Sequence, residues 1–155
     1  MLDKVPSSYT GTRAAQLNRQ ASRTQNLEHR MLHSTSLVAF VATAQAEAAR
    51  HFYESVLGLR LVEDSPFALV FNSNGTTLRV QKVEQVSPAP YTALGWQVAD
   101  IEASVHSLRA KGAVLQRYEG LSQDALGIWK SPSGAKVAWF RDPDGNTLSL
   151  TESAP

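Results

Sequence analysis

The chain has no cysteine. That excludes disulfides, thiolate metal sites and a cysteine nucleophile together. No apolar run approaches the roughly 18–20 residues that a membrane-spanning helix needs, so no membrane partner is expected. Excess charge is lacking too: 15 Lys/Arg against 14 Asp/Glu leave a net charge of +1, which gives no basic footprint for a nucleic acid. What remains is ordinary. With 155 residues, 43% hydrophobic and 19% charged, the chain suits one cytoplasmic globular domain able to bury a core without staples.

The charge that exists is unevenly placed. Residues 1–30 carry Lys4, Arg13, Arg19, Arg23 and Arg30 against Asp3 and Glu28, leaving ten basic and twelve acidic residues for 31–155. This head is rich in Ser, Thr, Gln and Arg and poor in aromatics, so it can bury little of itself. Three readings stand. It is a disordered or loosely helical extension, with Met31 as a candidate natural start, an organelle transit peptide, or a helix from Thr12 to Leu32 that packs on a partner subunit. A secretory signal is not expected, because the head lacks the apolar stretch of about 7–15 residues that one requires.

The remainder, 31–155, reads as one domain holding one pattern twice. Leu37–Thr43 is a short apolar strand, and Gln45–Val56 places Ala48, Ala49, Phe52 and Val56 on one helix face, ended by Gly58. Strands follow at Leu59–Glu63, Phe67–Asn72 and Thr76–Val83, the last two joined by the hairpin signal Asn72-Ser73-Asn74-Gly75. After the linker Ser87-Pro88-Ala89-Pro90 the order recurs: a strand at Tyr91–Val98, then a helix at Ile101–Lys111 with Asp100 as N-cap and Ile101, Val105 and Leu108 as its core face. Further strands read Val114–Glu119, Gly127–Lys130 with Lys136–Phe140 across the turn Ser131–Gly134, and Thr147–Thr151. The fold class is therefore α+β, two βαβββ modules at about 36–84 and 91–152. Hairpin turns after each helix exclude a doubly wound parallel sheet.

Two motifs stand out. Arg141-Asp142-Pro143-Asp144-Gly145-Asn146 has a proline for a turn, a glycine for positive φ and Asp/Asn side chains that cap their own backbone, and it feeds the alternating strand Thr147–Thr151. Upstream, Phe52-Tyr53-Glu54-Ser55-Val56-Leu57-Gly58-Leu59 is a helix end running into a strand. Together with the duplicated pattern, these resemble the vicinal-oxygen-chelate superfamily, which holds glyoxalase I, bleomycin-resistance proteins and extradiol dioxygenases. The resemblance covers about 36–152. It implies a curled, mixed-sheet cup, a homodimer, and a cluster of His and Glu ligands for a divalent metal on the first and last strands of each module.

Transferred to this chain, those ligand positions fall on other residues. Fourteen residues before Phe52 stands Val38, five before Val98 stands Ala93, four after Gly145 stands Ser149, and the first module's last position is Arg79 or Gln81. Valine and alanine have no donor atom, serine is a poor ligand, and arginine is a fixed cation. No metal and no other cofactor is expected. The four histidines read otherwise: His29 and His33 as surface residues, His51 and His106 as helix residues outside the cup.

If the ligand-equivalent positions face inward, period-two alternation turns Phe40, Arg79, Gln81, Gln97 and Ser149 into the cavity and Leu78, Val80, Leu94, Leu148 and Leu150 toward the helices. Arg79 is either a bidentate contact for a carboxylate or phosphate or a strand-edge surface residue. Trp129 and Trp139, with Tyr91 and Tyr118 nearby, either suit a flat or apolar ligand or pack in the core, and Trp129 equally suits a dimer interface; Trp96 has the helix-facing parity of the core. No Asp, Glu or His is expected on the inner face, so a general base is missing. The expected function is a glyoxalase- or bleomycin-resistance-like protein that binds a small, anionic or aromatic molecule in a metal-free cavity. The alternatives are a divergent lyase, isomerase or dioxygenase relative of glyoxalase I, and a metal-free enzyme or regulatory subunit.

Overall fold

The computed structural model describes residues 32–154; the readings made for 1–30, including the transit peptide, His29 and most of the proposed Thr12–Leu32 helix, lie outside them, as does Met31. Residues 32–36 form a turn closed by the Thr35 amide and hydroxyl on the Leu32 carbonyl. From Leu37 on, the chain builds two four-stranded sheets. The first comprises β1 (Val38–Thr43), β2 (Arg60–Asp64), β3 (Ala68–Ser73) and β4 (Thr76–Lys82) in the order β1-β4-β3-β2. The second comprises β5 (Thr92–Gln97), β6 (Ile128–Lys130), β7 (Lys136–Arg141) and β8 (Thr147–Glu152) in the order β5-β8-β7-β6. In each, the first and last strands pair in parallel and the rest are antiparallel. This is the expected pair of βαβββ modules. No helix among the described residues is long and apolar enough to cross a membrane.

Each sheet packs one face on the helices. α1 (Ala46–His51) runs on into a wider π-helical turn at Phe52–Val56, and α2 spans Ile101–Ala110. The first helix ends where Gly58, at φ +72, lets the Leu59 amide reach back to the Tyr53 carbonyl at 2.9 Å. One core joins both modules: Val41, Phe71, Leu78 and Val80 from the first sheet, Ala138, Phe140, Leu148 and Leu150 from the second, and Phe52, Ile101 and Val105 from the helices. The parity inferred from alternation therefore holds, and Trp96 packs on the core side as expected.

Three expectations need correction. In α1, Ala48 is exposed and Tyr53 is fully buried, so the core stripe is Ala49, Phe52, Tyr53 and Val56. A polar phenol lies inside because Asp142 accepts its hydroxyl at 2.8 Å. Val114–Glu119 is not a regular strand; it touches the sheet through a single bridge, Leu115 to Phe140, and through the Gln116 amide on the Trp139 carbonyl. The Gln123 side chain takes over there, donating to the carbonyls of Gln116 (3.0 Å) and Gly127 (2.7 Å) and accepting from the Tyr118 amide (2.8 Å). Finally, β2 carries a bulge between Leu61 and Glu63 that exchanges the faces of Glu63 and Asp64.

Candidate functional site

The faces turned away from the helices hold the candidate site, and the hairpin after β7 positions them. Asp142 is buried, and its two oxygens accept four hydrogen bonds: from the amides of Asp144 and Asn146, the Asn146 side chain, and the Tyr53 hydroxyl. Asn146 also donates to the Ala42 carbonyl at 3.0 Å, and Asp144 accepts from the Thr43 hydroxyl and the Ala44 amide. The Gln45 side chain closes the set on the Pro143 carbonyl at 2.8 Å. The motif that looks like a simple turn in sequence thus fastens the second module's last hairpin to the junction of β1 and α1. Burial, followed by the neighbouring Asp142 carboxylate, pushes the Tyr53 phenol well above its ordinary value.

On the first sheet, the register sets Phe40 beside Arg79, Ala42 beside Gln81, Arg79 beside Val70, and Val70 beside Glu63. Phe40 is 53% exposed and Val38 42%, large apolar side chains left uncovered. Arg79 is half-buried with no ion pair among the described residues. Glu63 corrects the expectation that no carboxylate shares this face. The bulge pairs it with Val70 where unbroken alternation would pair it with Leu69 on the core side. It lies two strands from Arg79, roughly 10 Å away at ordinary strand spacing.

On the second sheet, Gly95, Ser149 and Trp139 form one row, and Gln97, Thr151, Val137 and Trp129 the next. Trp129 and Trp139 lie with ring centroids 6.1 Å apart at 35°, and Tyr118 meets Trp139 edge-on at 5.5 Å. The Trp139 indole donates to the Thr92 hydroxyl at 3.2 Å. Tyr91 is 69% exposed and joins no aromatic pair among the described residues, so it stands outside this cluster. Gln97 is exposed, its amide donating to the Ser153 hydroxyl. Ser149 is buried: a Cβ added at Gly95 would meet its Oγ at 2.7 Å, so the glycine leaves the room that this hydroxyl occupies. The sequence-predicted residues thus fall into two groups, Phe40, Arg79 and Gln81 on one sheet, Gln97, Ser149, Trp129 and Trp139 on the other. No hydrogen bond or aromatic contact among the described residues joins the groups.

The donor set does not fit a divalent metal. The ligand-equivalent positions offer an isopropyl, a methyl, a buried hydroxyl and a guanidinium or amide, and no group of three His, Cys, Asp or Glu among the described residues is placed to hold an ion. His33, His51 and His106 are all exposed.

The profile of the Glyoxalase/Bleomycin resistance protein/Dioxygenase superfamily matches residues 30–150, and the chain belongs to that superfamily. No curated protein matches the chain in sequence. Solved structures share its fold. A superfamily member from Sphaerobacter thermophilus DSM 20745 is 23% identical with a TM-score of 0.62, covering 77% of this chain and 98% of its own. A lactoylglutathione lyase from Agrobacterium tumefaciens is 18% identical (TM-score 0.61; 77% and 94% covered). TnmS3, an antibiotic binding protein from Streptomyces sp. CB03234, is 22% identical (TM-score 0.59; 78% and 97% covered).

Proposed function

We propose that this chain binds and sequesters a small aromatic or apolar molecule carrying an anionic group, without a metal, as a cytoplasmic homodimer. The observation that carries the reading is the Trp129–Trp139–Tyr118 cluster on the open face of the second sheet. Tilted and edge-on rings offer flat apolar area at little entropic cost, and Gln97 and Thr151 beside them supply orientation. Arg79, unpaired among the described residues, is the cation best suited to a carboxylate. TnmS3, with the same fold, is an antibiotic-binding protein, and sequestration asks only for a shaped surface.

The test is calorimetric titration with a panel of polycyclic aromatic acids and their methyl esters. A panel member is expected to bind, Trp139→Ala to weaken it more than tenfold, and Arg79→Gln to weaken the acids but not the esters. Binding untouched by both substitutions would sink the reading. A second reading, a divergent lyase or isomerase relative, has one point in its favour: Glu63 shares a sheet face with Arg79 and is a candidate base. Turnover abolished by Glu63→Gln would select it.

A further inference from the structure

The second sheet has a second side. Between its helix-facing surface, α2 and the turn that ends the first helix lies a cavity of about 470 Å³, within the range of small-molecule sites. Its floor is Trp96, Phe140 and Leu150; Leu57 and Leu59 form one wall; α2 forms the other with Ser104, Ser107 and Leu108. Gln97, at the end of β5, is the one lining residue shared with the aromatic face; none of the others belongs to that face or carries the hairpin network. The Trp96 indole is fixed by its hydrogen bond to the Ser73 hydroxyl at 2.9 Å, so the floor is set before any ligand arrives.

The charge of the lining selects the occupant. Lys111 is the only charged side chain in it, and no carboxylate lies within ion-pair reach of its ammonium among the described residues. The Ser107 hydroxyl, one helical turn back on the same face, has no hydrogen-bond partner among them, whereas Ser104 is engaged by the Asp100 carbonyl. An apolar trough ending in one cation and one free hydroxyl suits an amphipathic monocarboxylate, its hydrocarbon body on Trp96 and Leu150 and its head at Lys111.

We propose that this groove is a second binding site, distinct from the aromatic face, for a small amphipathic monocarboxylate. Trp96 makes the test direct. With Trp129→Phe and Trp139→Phe in place it is the last of the three tryptophans, and its fluorescence reports on the groove alone. Titration of that full-length variant with 4-phenylbutyrate should change the Trp96 emission saturably, and 4-phenylbutan-1-ol should bind more weakly. Lys111→Gln should weaken the acid about three- to fivefold, the size of a solvent-exposed ion pair, and leave the alcohol unchanged. Ser107→Phe and, independently, Ala103→Phe should fill the groove without adding a tryptophan and weaken both more than tenfold, whereas Arg109→Gln, a neighbouring charge outside the lining, should change nothing. Thermal unfolding of each filler variant establishes that it folds, and either one suffices. No saturable Trp96 response, or a response that a folded filler variant leaves intact, overturns the site; equal affinity for acid and alcohol overturns its preference for an anion.

Discussion

Asp142 is buried without an ion pair among the described residues, and what makes that tolerable is the number of donors: four hydrogen bonds meet two oxygens. Removing the acceptor orphans the Tyr53 hydroxyl and the Asn146 amide inside the core. Asp142→Ala should therefore destabilise the protein by about 3 kcal/mol, since each buried unsatisfied group costs roughly 1–3 kcal/mol. Tyr53→Phe removes one donor of the four and should cost about 2 kcal/mol, in the range for a bond to a charged partner. The phenol adds a pH signature. Its ionisation is raised in the folded state, so its contribution is complete below the ordinary tyrosine value near 10 and is lost as pH rises beyond it, where only the unfolded chain ionises freely. Unfolding temperatures of the native chain and Tyr53→Phe should run parallel up to about pH 10 and then fall more steeply for the native chain. Profiles that stay parallel beyond that point would show that the phenol is not the group responsible. The sequence marks Asp142-Pro143-Asp144-Gly145 as a turn, which it is. That Asp142 also accepts from a phenol 89 positions earlier is a tertiary fact with no local signal.

At the level of elements, alternation and capping made most of the fold legible. Ile101, Val105 and Leu108 are buried as their spacing requires, and Asp100 caps α2 by accepting from the Ala103 amide. Less visible was the second acceptor at that helix end: Glu152, at the end of β8, takes the Ile101 amide at 2.8 Å. That bond, and then Lys136, holds the Glu152 carboxyl below its ordinary range. Its contribution is thus present above the unfolded carboxylate value and is lost as pH falls through the lower folded one. Glu152→Gln should flatten the acid side of the stability profile; an unchanged slope below pH 5 would refute the assignment. Irregular backbone is where alternation fails. The bulge at Val62 moved Glu63 to the open face, and period two cannot foresee an inserted residue. Likewise Val114–Glu119 has strand composition, yet the Gln123 side chain satisfies groups that a ladder would otherwise pair. Gln123→Ala should cost about 2 kcal/mol through the unpaired, partly buried Tyr118 amide and the two freed carbonyls, read by denaturant unfolding. It should also broaden the signals of Trp139, which Tyr118 abuts.

For the whole molecule, the two modules share a core and the hairpin network, while their open faces carry different chemistry: Phe40 and Arg79 on one, the tryptophan pair on the other. Which side chains share a strand face was legible, because period-two alternation fixes it wherever the register is unbroken. The division of the candidate site into two groups was not, since single-strand periodicity says nothing about how two sheets meet. That division bears on assembly. An exposed phenylalanine and valine on β1, itself an edge strand, are a costly surface for a lone chain, and an aromatic face elsewhere on the same chain is a suitable cover. A homodimer that sets the first sheet of one copy against the second sheet of the other would bury both and complete a cup holding Arg79 beside the tryptophans. Light scattering should then give about twice the 16.9 kDa chain mass. Phe40→Asp should shift the protein toward monomer and weaken ligand binding with it, because the two losses share one surface. A mass of 16.9 kDa across micromolar to millimolar concentrations would refute the dimer. A dimer indifferent to Phe40→Asp would place the interface elsewhere and leave the cup to be built within one chain.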